Sequence, residues 1–177
     1  IDDDAIADSE WIGELVRIYE STDAVAVGGK MTPEWVAGKP TFLPEEFYWL
    51  IGVTHRGFAE PGEEVRNTFG SNISFRREVI TELGGFDANV GRKGEAEIQA
   101  HESELGTRLR QEFDKGVIYN PDAKVAHKVF AYRIEPLWLI KRAFWQGYSK
   151  RALETLLPDA GTDEESEFLS FLLLDSI

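Results

Sequence analysis

The sequence predicts an α/β domain, because short apolar runs with strand character alternate with longer segments of helical periodicity. Its 177 residues are 42% hydrophobic, which is enough to build one sizeable core. The formal net charge is −13, so non-specific binding to nucleic acid is not expected. There are no cysteines, which excludes disulfides and thiolate metal sites within the chain.

The first half of the chain is predicted to contain two helices and one buried strand. Apolar residues at helical spacing predict a helix that is capped at residues 8–9 and ends at 21–23. Residues 24–27 are short, apolar and β-branched at alternate positions, so they predict a strand that the glycine pair 28–29 closes. A loop follows, and Pro44 then opens a short aromatic helix.

The second half is predicted to hold further helices and strands before an acidic tail. The first are a strand at 70–75, a helix at 76–83 that two glycines end, and a polar loop at 88–99. A helix at 102–113, strands at 117–119 and 125–129 separated by a turn, and a long helix at 135–157 follow. We therefore expect one domain over residues 1–157, followed by an acidic linker and apolar tail at 158–177.

Three consecutive aspartates, Asp2-Asp3-Asp4, form the first candidate site. They repel one another unless they are solvated or neutralised, and carboxylate oxygens suit hard cations such as Mg²⁺ or Mn²⁺. On these residues alone, a frayed acidic end that binds nothing is the simpler interpretation. Doubly wound sheets usually begin with nucleotide-binding strands, and the sequence predicts no strand before these aspartates.

Five motifs follow one another along the chain. They are Asp2-Asp3-Asp4, the run from Gly70 to Arg77, Gly84-Gly85-Phe86-Asp87, His101-Glu102-Ser103-Glu104-Leu105, and His127. Together they resemble the second half of a family 2 glycosyltransferase, over residues 1–157. The resemblance implies the GT-A (nucleotide-diphospho-sugar transferase) fold without its N-terminal nucleotide-binding strands. Within this family the chain looks most like haloarchaeal glucosyl-dolichyl phosphate glucuronosyltransferases, and its acidic composition is typical of halophilic proteins.

The resemblance implies an inverting enzyme that moves a sugar from a nucleotide diphosphate donor to a hydroxyl of a lipid-linked saccharide, during glycan assembly for protein N-glycosylation. It implies that Asp2 and Asp4 hold a divalent ion, Mn²⁺ or Mg²⁺, which neutralises the leaving diphosphate. His127 is the third candidate ligand, although a lone strand histidine is more often structural. Asp3 is a candidate donor contact, because three adjacent acids leave the register of the motif open.

The same resemblance implies that Glu102 is the base that takes the proton of the acceptor hydroxyl. The family commonly has an aspartate there and an acid at the preceding position, where this chain has His101, a candidate substrate contact. Glu102 also suits the first turn of a helix for electrostatic reasons alone. Gly70 and Asn72 are predicted to shape the loop beside donor and acceptor, through close backbone approach and an amide that holds a hydroxyl.

The final long helix has the opposite charge to the rest of the chain. Between Lys124 and Arg151 seven basic residues accompany a single acid, Glu135, and aromatic residues are interleaved with them. This mixture predicts peripheral contact with the cytoplasmic face of the cell membrane, although the aromatic residues could instead cover the sheet.

Two alternative functions remain open. A polyprenyl-phosphate sugar synthase of the same fold would not need Glu102 as a base, because its acceptor is already ionised. A non-catalytic acidic α/β module would bind Ca²⁺ or no ion at its aspartates. No phosphate-binding P-loop, dinucleotide fingerprint or serine-nucleophile motif is present. Without the nucleotide-binding strands, we expect this chain by itself to have little activity.

Overall fold

A computed structural model describes residues 1–87, 101–156 and 163–174 of the chain. In chain order its elements are β1 (Ala5–Ala7), α1 (Trp11–Ser21), β2 (Ala26–Trp35), β3 (Glu64–Val65), β4 (Ile73–Phe75), α2 (Arg77–Glu82), α3 (His101–Phe113), β5 (Val117–Val129), α4 (Pro136–Leu156) and α5 (Asp163–Leu174). Short 3₁₀ turns lie at Glu45–Ile51, Gly70–Asn72 and Ala131–Ile134. The predicted α/β class is confirmed, and the GT-A fold stays a prediction.

The strand β5 is the centre of the sheet. It pairs in parallel with β2 on one side and antiparallel with β1 and β3 on the other. The strand order is β1-β5-β2-β4, with β3 paired to the opposite end of β5 from β1. The register sets Ala5 opposite His127, so the residues just before β1 lie at the His127 end of β5.

The strand β2 is longer than the sequence predicts, because the glycines at 28 and 29 do not end it. A Cβ atom on Gly28 would run into the Thr68 side chain, and one on Gly29 would run into the carbonyl oxygen of Ala123. These glycines therefore allow close packing inside the sheet. Pro33 is tolerated further along, because β2 pairs there with β5 and its pairing with β4 covers only residues 26–28.

Replacing Gly29 by alanine is expected to lower the free energy of unfolding by about 1–3 kcal/mol, because the added Cβ meets backbone. Gly13, inside α1, is the matched control, since a Cβ there would meet nothing within 4 Å. The Gly13→Ala change is expected to stabilise the protein by up to about 1 kcal/mol through helix propensity. Urea unfolding of both variants measures the two effects. A Gly29→Ala protein as stable as the parent would contradict the packing described here.

Two other local patterns were misleading. The turn predicted between two strands is a bulge inside the single strand β5: Gly29 pairs with Asn120 and Lys30 with Lys124, so residues 121–123 are extra. The prediction was wrong because Pro and Asp signal a local turn. In the structure, β2 pairs with β5 on both sides of these residues, so the two parts of β5 stay in one strand. The strand β1 was missed, since three residues carry no periodicity and form a strand only against the edge of β5.

The predicted helices at 8–23, 76–83, 102–113 and 135–157 are confirmed as α1, α2, α3 and α4. The aromatic segment after Pro44 is helical too, as a 3₁₀ turn. The loop predicted at 88–99 and the start of the predicted linker lie outside the described residues. None of the described helices is both long and apolar enough to cross a bilayer.

The predicted apolar tail forms the helix α5, which packs against the domain. The Phe168 ring lies 4.9 Å from that of His55 and 6.5 Å from those of Phe47 and Trp49, measured between centroids. All three contacts are edge-on, the geometry that aromatic quadrupoles favour. Burial of the His55 ring lowers its pKa. The tail is therefore anchored by aromatic contacts.

Candidate functional site

The end of β5 carries the first half of the predicted site. The amide of Lys128 donates to the Asp4 carbonyl oxygen (2.9 Å), so the segment before β1 is fixed to the strand edge. This contact brings the Asp4 carboxylate beside the imidazole, with Asp4 Oδ2 3.4 Å from His127 Nε2. Two of the three predicted metal ligands are thus neighbours.

The imidazole of His127 has one defined tautomer. The residue is only 6% exposed, its Nδ1 lies 3.1 Å from the Ile51 carbonyl oxygen, and its Nε2 lies 2.9 Å from Arg133 Nη1. Because a guanidinium only donates, Nε2 accepts, and Nδ1 carries the proton that bonds Ile51. Burial first, and then the charge of Arg133, lower the pKa of His127. This hydrogen-bond pattern is that of the neutral ring, with its Nε2 lone pair directed towards Arg133.

A glycine makes room for this ring. Gly52 ends the 3₁₀ turn Glu45–Ile51 in a left-handed conformation with φ of 76°. A Cβ atom there would lie 2.8 Å from His127 Cε1 and 3.0 Å from Nδ1. Glycine at this position serves both the backbone conformation and the close approach to His127.

Sequence reasoning missed Arg133 as a site residue and counted it only as one of the basic residues near the long helix. Its Nη1 donates to His127 and its Nη2 donates to Asp4 Oδ2 at 2.8 Å. Its Nε donates to the Tyr132 hydroxyl at 3.0 Å. In the sequence, Arg133 is marked only by its position six residues after His127. That spacing does not reveal a contact with Asp4, which lies 129 positions away.

The 3₁₀ turn Gly70–Asn72 carries the second half of the site. The Ser71 hydroxyl donates to Asp2 Oδ2, while the Asp2 residue remains exposed. In the same turn, a Cβ atom on Gly70 would collide with Oε1 of Glu102. The predicted ion-binding carboxylate of Asp2 and the predicted base Glu102 therefore border one turn, although 100 positions separate them in the sequence.

The amide of Asn72 is used inside the protein. The residue is fully buried, its Oδ1 accepts from Trp11 Nε1 at 2.8 Å, and its Nδ2 donates to two carbonyl oxygens, of Lys30 at 3.1 Å and Ala123 at 2.8 Å. These contacts give Asn72 a positioning role: it fixes the turn that carries Ser71. A direct contact with a sugar hydroxyl stays a prediction.

The other two predicted substrate contacts lie at the margins of the site. Asp3 is exposed, between the two aspartates that the structure engages. His101 is half-buried at the beginning of α3, where its ring lies edge-on to Phe86 at 6.4 Å. The structure thus sets Asp4 beside His127 and sets Asp2 and Glu102 against the same turn, through Ser71 and Gly70. Among the described residues, Asp3 and His101 share no contact with these side chains.

The donors present fit a divalent ion in part. Carboxylate oxygen and neutral imidazole nitrogen are ligands for Mn²⁺ or Mg²⁺, and the Nδ1 bond to a carbonyl is the usual support of a metal-binding histidine. Asp4 and His127 are adjacent, while Asp2 is bonded to Ser71. Within the described ranges, no three His, Asp or Glu side chains are already gathered as an ion site. The set Asp2, Asp4 and His127 therefore stays a prediction.

The chain is 55% identical over 175 residues to the glucosyl-dolichyl phosphate glucuronosyltransferase of Haloferax volcanii, a family 2 glycosyltransferase. The alignment covers 98% of this chain and 56% of that protein, so the chain spans about half the length of its relative. No protein-family model matches the sequence, and no solved structure is significantly similar to it. The resemblance inferred from the motifs is confirmed: the chain is a homologue of about half of a haloarchaeal family 2 glycosyltransferase.

Proposed function

We propose that the chain forms the catalytic part of an inverting glycosyltransferase with a GT-A fold, which moves a sugar from a nucleotide diphosphate to a hydroxyl of a dolichyl phosphate-linked saccharide. The observation that carries the proposal is the convergence of Asp2 and Glu102 on the turn Gly70–Asn72. The name of the relative supports transfer of a sugar to a lipid-linked acceptor. Glycan assembly for protein N-glycosylation is the proposed context.

On the donor side, Asp2 and Asp4 would hold Mn²⁺ or Mg²⁺, with His127 as third ligand and Asp3 as a contact of the donor. The bound ion supplies positive charge that stabilises the leaving diphosphate. Ser71 orients the Asp2 carboxylate through its hydrogen bond, and β1 holds Asp4 beside His127. The chain's own contribution is thus to hold one carboxylate at Ser71 and the other beside His127.

On the acceptor side, Glu102 would accept the proton of the attacking hydroxyl. In an inverting transfer the acceptor oxygen forms its bond to the sugar carbon as the bond to the diphosphate breaks. The absence of a side chain at Gly70 gives the Glu102 carboxylate its place beside the turn. Proton acceptance by a positioned carboxylate contributes about 10²–10⁴-fold to such reactions.

The helix that carries Glu102 is anchored by a largely buried ion pair between Glu104 and Arg108. Arg108 donates to both carboxylate oxygens of Glu104, at 2.5 and 2.8 Å. It also donates to the carbonyl oxygens of Leu83 and Gly85, at 2.5 and 2.8 Å. The glycine turn after α2 is thereby tied to α3, which holds Glu102 in position relative to the rest of the domain.

The helix α4 is the proposed contact with the cytoplasmic face of the membrane. Four large apolar or aromatic residues on it are 53% to 78% exposed: Leu137, Ile140, Phe144 and Tyr148. Their spacing of three, four and four residues sets them on one helix face. Lys141 and Arg151 are exposed on the same helix, and basic residues attract anionic lipid heads. A lipid-linked acceptor would be reached from this surface.

Calorimetric titration of UDP into a full-length protein carrying this chain tests the donor site. Binding is expected with Mn²⁺ and is expected to weaken at least tenfold after chelation or in the Asp2→Asn/Asp4→Asn double variant. The control Asp23→Asn removes an exposed carboxylate that pairs with Lys115, and should leave binding unchanged. A folded protein that binds no UDP in the presence or absence of Mn²⁺ would contradict this donor class.

A further inference from the structure

Arg133 occupies the point on which Asp4 and His127 converge. One guanidinium donates to His127 Nε2 at 2.9 Å and to Asp4 Oδ2 at 2.8 Å. The side chains of Arg133 and Asp4 are each 19% exposed, and that of His127 is 8% exposed. A positive charge that belongs to the protein therefore already compensates this largely buried pair.

The same pair has the geometry of two ligands of one ion. Its Nε2 to Oδ2 separation is 3.4 Å. With bonds of about 2.1 Å, that separation corresponds to an angle of about 110° at a shared cation, and an approach of about 0.4 Å would give the 90° of octahedral Mn²⁺ or Mg²⁺. The Nε2 lone pair is available only because Nδ1 holds the proton and donates to Ile51. A guanidinium and a divalent cation cannot share this point, because their charges repel at such short range.

We propose that Arg133 is an exchangeable counter-cation: it leaves Asp4 and His127 when a divalent ion enters together with a nucleotide diphosphate, and its guanidinium then contacts the diphosphate. The inference rests on the proposed function and names a donor-binding residue within it. The forked donors of an arginine suit phosphate oxygens. The diphosphate supplies the negative charge that makes the exchange favourable, so ion and nucleotide bind with positive cooperativity.

The surroundings of Arg133 permit such a movement. The residue lies in the short 3₁₀ turn Ala131–Ile134, between β5 and α4, and no residue of that turn is buried. Its other hydrogen bond runs to the hydroxyl of Tyr132, a residue that is 48% exposed. The guanidinium can therefore turn away from the pair without disturbing the core.

The test is Mn²⁺ affinity, measured from the electron paramagnetic resonance signal of free Mn²⁺ with and without UDP, in a full-length protein carrying this chain. In the parent protein, UDP is expected to tighten Mn²⁺ binding at least tenfold. The Arg133→Gln variant is expected to bind Mn²⁺ at least tenfold more tightly than the parent when UDP is absent, and to gain less from UDP. Adding His127→Gln to that variant is expected to abolish its tighter binding of Mn²⁺.

The matched control is Arg77→Gln, which removes an equal charge from an exposed position on α2 and should match the parent. Arg133→Lys keeps the charge but cannot donate to Asp4 and His127 at the same time, so its Mn²⁺ affinity is expected to lie between those of the parent and Arg133→Gln. If circular dichroism shows that Arg133→Gln is unfolded, the lysine variant takes its place. Unchanged affinity and unchanged UDP dependence in both variants would overturn the exchange and leave the donor site standing. Absence of Mn²⁺ binding in every protein, with or without UDP, would overturn the exchange and the proposed ion site together.

Discussion

Replacing Glu102 by glutamine is expected to lower the rate of sugar transfer to a hydroxyl acceptor by about 10²–10⁴-fold. Glutamine has nearly the same shape and still fits beside Gly70, but it cannot accept the proton of the hydroxyl. The effect should appear in kcat at saturating donor and acceptor. The affinity for UDP should stay unchanged, because the substitution does not touch Asp2 or Asp4.

The matched control is Glu112→Gln, an exposed carboxylate near the opposite end of α3. It changes the charge of the same helix equally, and it should keep the parent rate. A Glu102→Gln protein that also keeps the parent rate would show that the acceptor needs no base. That result would favour the polyprenyl-phosphate sugar synthase, whose phosphate acceptor is already ionised.

Replacing Leu137, Ile140 and Phe144 together by serine is expected to weaken binding to anionic lipid vesicles at least tenfold. The three residues are 78%, 68% and 65% exposed, so their apolar surface is available to the lipid. Fully burying each such side chain contributes about 1.5–3 kcal/mol to the free energy of binding. Even partial insertion of all three side chains therefore changes the affinity for the vesicles more than tenfold. Vesicle sedimentation of a full-length protein carrying this chain measures the change. Stability should alter little, because exposed side chains contribute little to folding.

The control is Ile12→Ser/Val16→Ser, a double change of exposed apolar residues on α1. Their four-residue spacing also sets them on one helix face, but α4 is the helix with the excess of basic residues. Vesicle binding should persist in this control. Undiminished binding of the α4 variant would exclude this face as the membrane contact, and equal loss in both proteins would indicate non-specific apolar adsorption.

Local sequence was sufficient for the helices, and it supplied the candidate residues of the site. The helix that begins beside Glu102 and the glycine stop after α2 follow from periodicity and capping, which act within a few residues. Motif order indicated a resemblance to family 2 glycosyltransferases, which the similarity to the Haloferax volcanii protein confirms. Such signals can be recognised in one sequence because each is contained in a short stretch.

The tertiary structure decided what depends on distant neighbours. Gly28 and Gly29 read as a strand end, but the strand continues because they pack against Thr68 and Ala123. Likewise, the turn predicted at Pro121 is a bulge within β5, because β2 pairs with β5 both before and after it.

The same limit applies to the site. The motif that contains Asn72 did not reveal that its amide donates to the carbonyl oxygens of Lys30 and Ala123 inside the protein. Arg133 had no motif at all. The sequence predicted the carboxylates and the histidine of the candidate site, and the fold added Arg133 and decided the pairing, because hydrogen bonds between residues far apart in sequence form only once the sheet sets their distances.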